Sequence, residues 1–187
     1  MPPPDGIDVQ LVSPDEAGRH LDELTAVCRE VYAEPPHEWD AEHEELFIER
    51  FKRQCQSAGF SLVEARCGDE VIGFGFGLTL PPATPWWSRL VTPLPDDVTQ
   101  EYEGRTFALI ELLVRKPWRR QHVAETIHDQ LMQGRHEERA TLTALPAADA
   151  AQAAYAKWGW YKVAQKRNPL PGSPIFNVLV KELRTSA

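Results

Sequence analysis

Apolar and polar positions alternate from Ile7 to Val12, as they do along a half-buried strand whose successive side chains point to opposite faces. Ser13-Pro14-Asp15-Glu16 follows. It combines a capping hydroxyl, a proline suited to the first helical turn and a glutamate three residues past the cap, and so predicts a helix start. The apolar stripe of that helix is Leu21, Leu24, Val27 or Cys28, and Val31, and Pro35-Pro36 ends it. Asp40 is a natural N-cap for a second helix, in which Phe47, Phe51 and Cys55 recur every four residues beside Ile48 and which Gly59 closes. Phe60 to Ala65 and Val71 to Leu80 read as two strands joined by a short turn-rich connection, hence an antiparallel hairpin. In the second strand Gly73, Gly75 and Gly77 share one face while Ile72, Phe74, Phe76 and Leu78 share the other. Such a glycine face means either a flat, tightly packed strand or close approach by another backbone or a ligand.

Residues 81–105 form a long proline-rich connection with Trp86-Trp87 near its start. Paired indoles are costly in a floppy linker, so the segment reads as an ordered lid; the tryptophans either pack against the core or line an acceptor pocket. Phe107 to Val114 is an apolar strand broken only by Glu111. It runs through Arg115-Lys116-Pro117-Trp118 and Arg119 to Ala124 into a helix with Val123, Ile127 and Leu131 on one face. Arg139 to Leu145 is another strand, and Asp149 to Trp158 is an alanine-rich helix closed by Gly159. Trp160 to Gln165 and Ile175 to Leu183 are two more strands on either side of Pro169 to Pro174. The order β-α-α-β-β-β-α-β-α-β-β predicts an α/β or α+β fold, a mixed sheet with helices on both faces.

Composition narrows the class. With 187 residues, 42% hydrophobic and 26% charged, the chain fits a single globular domain, residues 1–187, in which residues 1–6 are a flexible leader. The start carries no basic region or apolar run, and no segment approaches the roughly 18 apolar residues of a membrane span. The expectation is a cytoplasmic protein. A net charge of −8 opposes non-specific attraction to nucleic acid or an anionic membrane. Cys28, Cys55 and Cys67 are scattered, and the six histidines never fall in a ligand spacing, so neither a disulfide framework nor a metal site is expected.

Two features carry candidate chemistry. Period-two geometry groups Glu111 with Phe107, Leu109 and Leu113. A carboxylate in such surroundings is either tied to an arginine or a strand edge, or has its pKa raised by desolvation into the range of a general base. The turn Arg119 to Ala124 offers consecutive N–H groups at a helix start, and two guanidinium forks besides. It reads as an anion site or as a solvated surface cluster.

Arg119-Arg120-Gln121-His122-Val123-Ala124, following Ile110-Glu111-Leu112-Leu113-Val114, resembles the [Q/R]-x-x-G-x-[G/A] signature of the GNAT superfamily of acyl-CoA-dependent N-acyltransferases. Ala151-Gln152-Ala153-Ala154-Tyr155-Ala156-Lys157-Trp158-Gly159-Trp160 is similar to that family's closing A-x-x-x-Y-x-x-x-G-[FW] motif. The resemblance implies a mostly antiparallel central sheet, splayed between the strands at Phe107 and Arg139, with acetyl-CoA or another acyl-CoA in the resulting cleft. It implies that Leu112, Leu113 and Val114 hold the pantetheine and that Arg119, Arg120, Gln121, His122, Val123 and Ala124 hold the pyrophosphate. Glu111 would then be the base and Tyr155 the acid in direct acetyl transfer to a primary amine of a small molecule or peptide. Tyr32, Trp86 and Trp87 are candidate acceptor-binding residues, with Glu34, His37, Glu38 and Asp40 nearby; neither nucleic acid, membrane nor metal is implied, and a homodimer is allowed. The chain departs from the signature at His122, where the family has glycine, and has Ala147, Ala148 and Asp149 where the family has an asparagine. The alternatives are a catalytically impaired acyl-CoA-binding or regulatory module on the same fold, and an interaction domain using the Trp86-Trp87 loop.

Overall fold

A computed structural model of the chain describes residues 6–37, 39–167 and 172–183. Residues 1–5 of the expected leader, Glu38, and residues 168–171 of the last connection lie outside the described residues. The elements in chain order are β1 (Ile7–Val12), α1 (Pro14–Ala17), α2 (Leu21–Tyr32), α3 (Ala41–Gln54), β2 (Ser61–Cys67), β3 (Glu70–Thr79) and α4 (Asp96–Thr99). They continue with β4 (Thr106–Val114), α5 (Val123–Met132), β5 (Arg139–Ala144), α6 (Asp149–Lys157), β6 (Tyr161–Arg167) and β7 (Ile175–Glu182). The strands hydrogen-bond in the order β1-β2-β3-β4-β5-β7-β6. β1–β2, β2–β3, β5–β7 and β6–β7 are antiparallel, and β4–β5 is parallel from Thr106↔Arg139 to Ala108↔Thr141. The fold is therefore the expected mixed, mostly antiparallel sheet flanked by helices. Contacts group the chain into two compact units, Met1–Leu78 with Leu109–Gly134, and Thr79–Ala108 with Arg135–Ala187.

In the first unit the glycine face and the phenylalanine face of β3 have separate partners. Phe74 and Phe76 join Phe47, Phe51 and Phe60 with Leu24, Val27, Leu62 and Leu113 in one buried cluster. Phe51 meets Phe60 and Phe76 edge-on at 5.9 Å and 5.1 Å between ring centroids. Burying each such ring contributes about 1.5–3 kcal/mol, so this cluster is what seats α2 and α3 on the sheet. On the other face α5 lies against Gly75, where an added Cβ would come within 2.9 Å of Ile127 Cγ2 and 3.0 Å of Leu131 Cδ1. At Gly73 it would stand 2.8 Å from the backbone oxygen of Leu113, so β4's own backbone is what approaches there. Gly73→Ala has no flexible atom to push aside. Overpacking costs about 1–3 kcal/mol, and the variant should melt roughly 5 °C lower in a calorimetric scan; an unchanged melting temperature would refute this packing account.

The first helical stretch is broken where one continuous helix was expected. α1 passes into a 3-10 turn, Gly18–His20, before α2 begins. Gly18 is a weak helix former, and the His20 ring is drawn to β2 by a 2.8 Å bond between Nδ1 and Glu64 Oε1. Glu64 is fully buried and also receives Arg66 Nε at 3.0 Å, so a tertiary pair tightens the turn. Ser13 also departs from its expected role: its hydroxyl donates to Glu16 Oε2 at 2.6 Å, while the Glu16 and Ala17 amides bond the Ser13 carbonyl. Asp40 does cap α3, its Oδ1 accepting from the His43 amide at 2.9 Å. That helix ends at Gln54, before Gly59, because the Gln56 and Ser57 amides turn to carbonyls three residues back.

In the second unit residues 81–105 are bonded along their length. Leu90 bridges to Lys166 of β6, the Val91 amide donates to Gln165, and the Arg167 amide donates to Arg89. Trp87 packs with Val178 and Val180, with Trp86 and Leu90 against them. The Trp87 indole N–H donates to Glu101 Oε1 at 2.8 Å, and that of Trp86 to Thr141 Oγ1 at 3.2 Å. Glu101 Oε1 also receives Thr106 Oγ1 and Arg139 Nη2, each at 2.9 Å. A buried ion pair thus ties the long connection to the first residues of β4 and β5.

Candidate functional site

Glu111 lies near the end of β4, with 8% of its surface exposed. Both carboxylate oxygens are engaged within the first unit. Oε1 accepts from Arg50 Nη2 of α3 at 2.8 Å, and Oε2 accepts from the Tyr32 hydroxyl at the end of α2. Burial raises the Glu111 pKa above the ordinary carboxylate value, against the opposing pull of the Arg50 charge and of the two hydrogen bonds. The Tyr32 phenol is pushed up as well, first by burial and then by the adjacent Glu111 charge. Burial also raises the Cys28 thiol, one turn earlier on α2. The two alternatives for this glutamate are therefore both realised: it is tied to an arginine, and it is desolvated.

Tyr32 is held by aromatic neighbours. Its ring stacks on Trp39 at 5.1 Å and 22° and tilts against His37 at 4.8 Å, and Trp39 stacks on His43 at 6.3 Å. Burial lowers the His37 pKa, with the Arg119 charge adding to the effect. Of the other candidate acceptor residues, Trp87 is buried in the core of the second unit and Trp86 is partly buried against it.

The turn ahead of α5 has unusual backbone geometry. His122 adopts φ 60° and ψ 4°, and Arg120 has φ 65°, both in the left-handed region that glycine enters most easily. Histidine is among the side chains that tolerate this region better than most. Its imidazole Nδ1 lies 2.6 Å from Glu125 Oε2, and its carbonyl starts the helix by accepting from Thr126 at 2.9 Å. The Arg119 amide is used by the preceding turn, donating to Lys116 at 3.2 Å. Among the described residues the amides of Arg120, Gln121, His122, Val123 and Ala124 donate to no protein acceptor. A run of unbonded N–H groups at the N-terminus of a ten-residue helix is an anion cradle.

The cationic side chains around it serve different ends. Arg119 Nη1 and Lys116 Nζ take the two oxygens of Glu34 at 2.7 Å and 3.1 Å, and Arg119 Nε donates to the Val114 carbonyl at 3.0 Å. These pairs hold the Glu34 carboxyl below its ordinary range. Gln121 Nε2 donates to Pro117 at 2.8 Å. Arg120 is exposed with its guanidinium bonded to no described residue, which leaves it available to a ligand anion. Of the strand residues expected to meet a cofactor, Leu113 and Val114 are buried and Leu112 packs against the α5 side near Gly75.

Tyr155 belongs to the second unit, on α6. The Trp160 amide donates to the Tyr155 carbonyl at 3.0 Å and the Gly159 amide to Ala156 at 3.2 Å, with Gly159 at φ 83°, which together make a Schellman ending. The ring of Tyr155 meets those of Trp158 and Trp160 at 5.8 Å and 5.9 Å. The spacing Y-x-x-x-G-W is thus a helix stop that fixes the tyrosine: glycine supplies the left-handed residue, and the aromatic after it packs back on the ring.

Sequence reasoning missed Arg50. It sits between the core positions Phe47 and Phe51 on α3, at the edge of the apolar stripe, and a cation in that place was the available signal. Among the described residues no group of three or more His, Cys, Asp or Glu is placed to hold a metal, and no helix is long and apolar enough to cross a membrane.

Known proteins share this fold. The structure resembles the ribosomal-protein-S18-alanine N-acetyltransferase of Escherichia coli, at 13% identity and a TM-score of 0.65 over 97% of this chain and 96% of that one. It also resembles an acetyltransferase of the GNAT family from Staphylococcus aureus, at 16% identity and a TM-score of 0.62 over 95% and 99%. PaiA N-acetyltransferase from Thermoplasma acidophilum, solved in complex with coenzyme A, matches at 14% identity and a TM-score of 0.58 over 94% and 98%. No curated protein matches the sequence significantly. The family model of the GNAT acetyltransferases matches residues 24–160, a span that takes in Glu111, the amide cradle and the tyrosine helix, and the chain belongs to that family.

Proposed function

We propose that the protein transfers an acetyl group from acetyl-CoA to a primary amine of a small molecule or peptide by direct attack. The observation that carries this reading is the free amides of residues 120–124 at the start of α5, fed by a strand that bears a desolvated glutamate. The cradle suits the pyrophosphate of CoA, with Arg120 as the guanidinium beside it and Leu112 to Val114 as the strand edge for the pantetheine. Glu111 takes the proton of the attacking ammonium, so that a neutral nitrogen forms the new C–N bond. As the C–S bond breaks, the Tyr155 hydroxyl protonates the sulfur, and the second proton lost by the acylated nitrogen restores that hydroxyl by way of solvent, giving a neutral acetamide and free CoA with Glu111 left as the acid. Tyr32 belongs to the acceptor side, beside the base.

A ligand that binds only the folded state must stabilise it. Acetyl-CoA at a hundred times its Kd adds about 2.7 kcal/mol, which for a chain of this size raises the melting temperature by roughly 5–10 °C. Thiol release should follow with at least one member of a panel of alkylamines, arylalkylamines, polyamines, amino acids and short peptides. No thermal shift would overturn the reading. A second reading, a module that binds acyl-CoA without turnover, is favoured by His122 at the glycine position. It predicts the thermal shift with no thiol release from any amine.

A further inference from the structure

We propose that Tyr32 is a catalytic proton relay: its hydroxyl receives the proton of the acceptor ammonium and hands its own to Glu111. This rests on the acetyltransferase reading and deepens it on the acceptor side. Glu111 has one oxygen on Arg50 and the other on Tyr32 and is only 8% exposed, so a proton delivered through one of these partners reaches the carboxylate without displacing it. Arg50 cannot pass a proton, since a guanidinium has donors and no acceptor; a phenol has both. Tyr32 is partly buried and donates directly to Oε2, so its phenol is the group through which a proton can be handed to that oxygen. Its ring is clamped between Trp39 and His37, which keeps the hydroxyl on Oε2.

The exchange balances. One N–H bond of the ammonium breaks as an O–H bond forms on Tyr32, and the original Tyr32 O–H bond breaks as one forms on Glu111 Oε2. Tyr32 ends as it began, a neutral phenol, and Glu111 ends as the acid. Because burial and the neighbouring carboxylate keep the phenol from ionising, it works as a conduit and never as a stored phenolate. The charged and titratable groups around the pair are Cys28 on α2, Arg50 and Glu44 on α3, and His37 in the segment between those helices. Arg50 is a positioning residue here, orienting Oε1 so that Oε2 faces the phenol.

The test compares native protein, Glu111→Gln, Tyr32→Phe and the double variant, using acetyl-CoA and whichever panel amine turns over fastest. In the native enzyme kcat/KM should rise with pH through the ionisation of Glu111. Tyr32→Phe should lose that inflection as Glu111→Gln does, climbing instead with hydroxide, and should fall by a similar factor of about 100 or more. The double variant should be no slower than the slower single one. If Tyr32→Phe keeps the native inflection and only scales the rate, or if the two losses multiply, the relay is wrong. A proton inventory in mixed light and heavy water on the unaltered chain decides the matter even if Tyr32→Phe fails to fold: two protons in flight give a curved plot, and a straight line sinks the relay. Absence of turnover with every amine would overturn the acetyltransferase reading itself, whereas turnover with an unmoved pH profile in Tyr32→Phe overturns the relay alone.

Discussion

Glu111→Gln is expected to lower kcat/KM for acetyl transfer by about 10²–10⁴-fold while leaving the melting temperature at neutral pH unchanged or raised. The loss follows from removing the carboxylate on which the acceptor's proton comes to rest, the one anionic group joined to both Tyr32 and Arg50. The structure survives because a glutamine keeps the volume, and its amide oxygen still accepts from Arg50 or Tyr32. Stability moves in the opposite direction from activity. Glu111 has a folded-state pKa raised above its ordinary value, so its contribution is complete at pH below the unfolded value and is lost as pH rises through the folded one. Below about pH 4 the native chain and Glu111→Gln should therefore melt alike. As pH rises past the ordinary carboxylate value, the variant gains relative to the native protein, because a neutral amide avoids the cost of a buried charge. Melting curves from pH 4 to pH 8, set beside rate profiles over the same range, check both halves. Activity within a few-fold of native would remove Glu111 from the mechanism.

Arg139→Leu carries the largest expected cost in stability, about 3–5 kcal/mol, because it strands a buried carboxylate. The Arg139 and Glu101 side chains are 8% and 1% exposed and meet at 2.9 Å. Arg139 further donates through Nε to Thr106 Oγ1 at 3.0 Å and through Nη2 to the Val98 carbonyl at 2.7 Å, and stands over the Trp87 ring at 5.0 Å. One guanidinium therefore fastens β5, the start of β4, α4 and the paired tryptophans. Leucine fills much of the space and satisfies none of these acceptors. Urea unfolding should show a lower midpoint with an unchanged slope, and the melting temperature should fall by roughly 10 °C. Adding Glu101→Leu should recover part of the loss, since an apolar pair in place of a buried ion pair leaves no charge unpaired. A change below about 1 kcal/mol in the single variant would mean that water reaches Glu101 and that the tie is weak.

The places where sequence reading and structure part share one cause. Ser13-Pro14-Asp15-Glu16 marks a helix start, and a helix starts there; that it breaks at Gly18 depends on Glu64, far along the chain in β2. Gly59 is a strong stop signal, yet α3 tightens and ends before it, at Gln56 and Ser57. The paired tryptophans read as ordered for a sound reason, the cost of exposed indoles, but nothing local shows that Trp87 donates to Glu101. Glu64 is fully buried, and period-two geometry groups it with Phe60 and Leu62, a signal of the same kind as that at Glu111; that its partners are His20 and Arg66 only the packing decides.

The sequence by itself determined the order of the seven strands and of the longer helices, though not the split of the first helix or the short α4, together with the apolar face of α5 at Val123, Ile127 and Leu131, the capped start of α3, and the two motifs that resemble the family's. Those are properties of neighbouring residues, since periodicity, caps and stop signals act over a few positions along one chain direction. Only the tertiary structure decided what surrounds the reactive carboxylate. Arg50 is 61 residues from Glu111 in sequence and Tyr32 is 79, and they meet it because the phenylalanine face of β3 seats α2 and α3 over the end of β4. A glutamate in an apolar strand announces that its charge must be settled somewhere. Which groups settle it depends on how three separate elements pack, and no local pattern contains that.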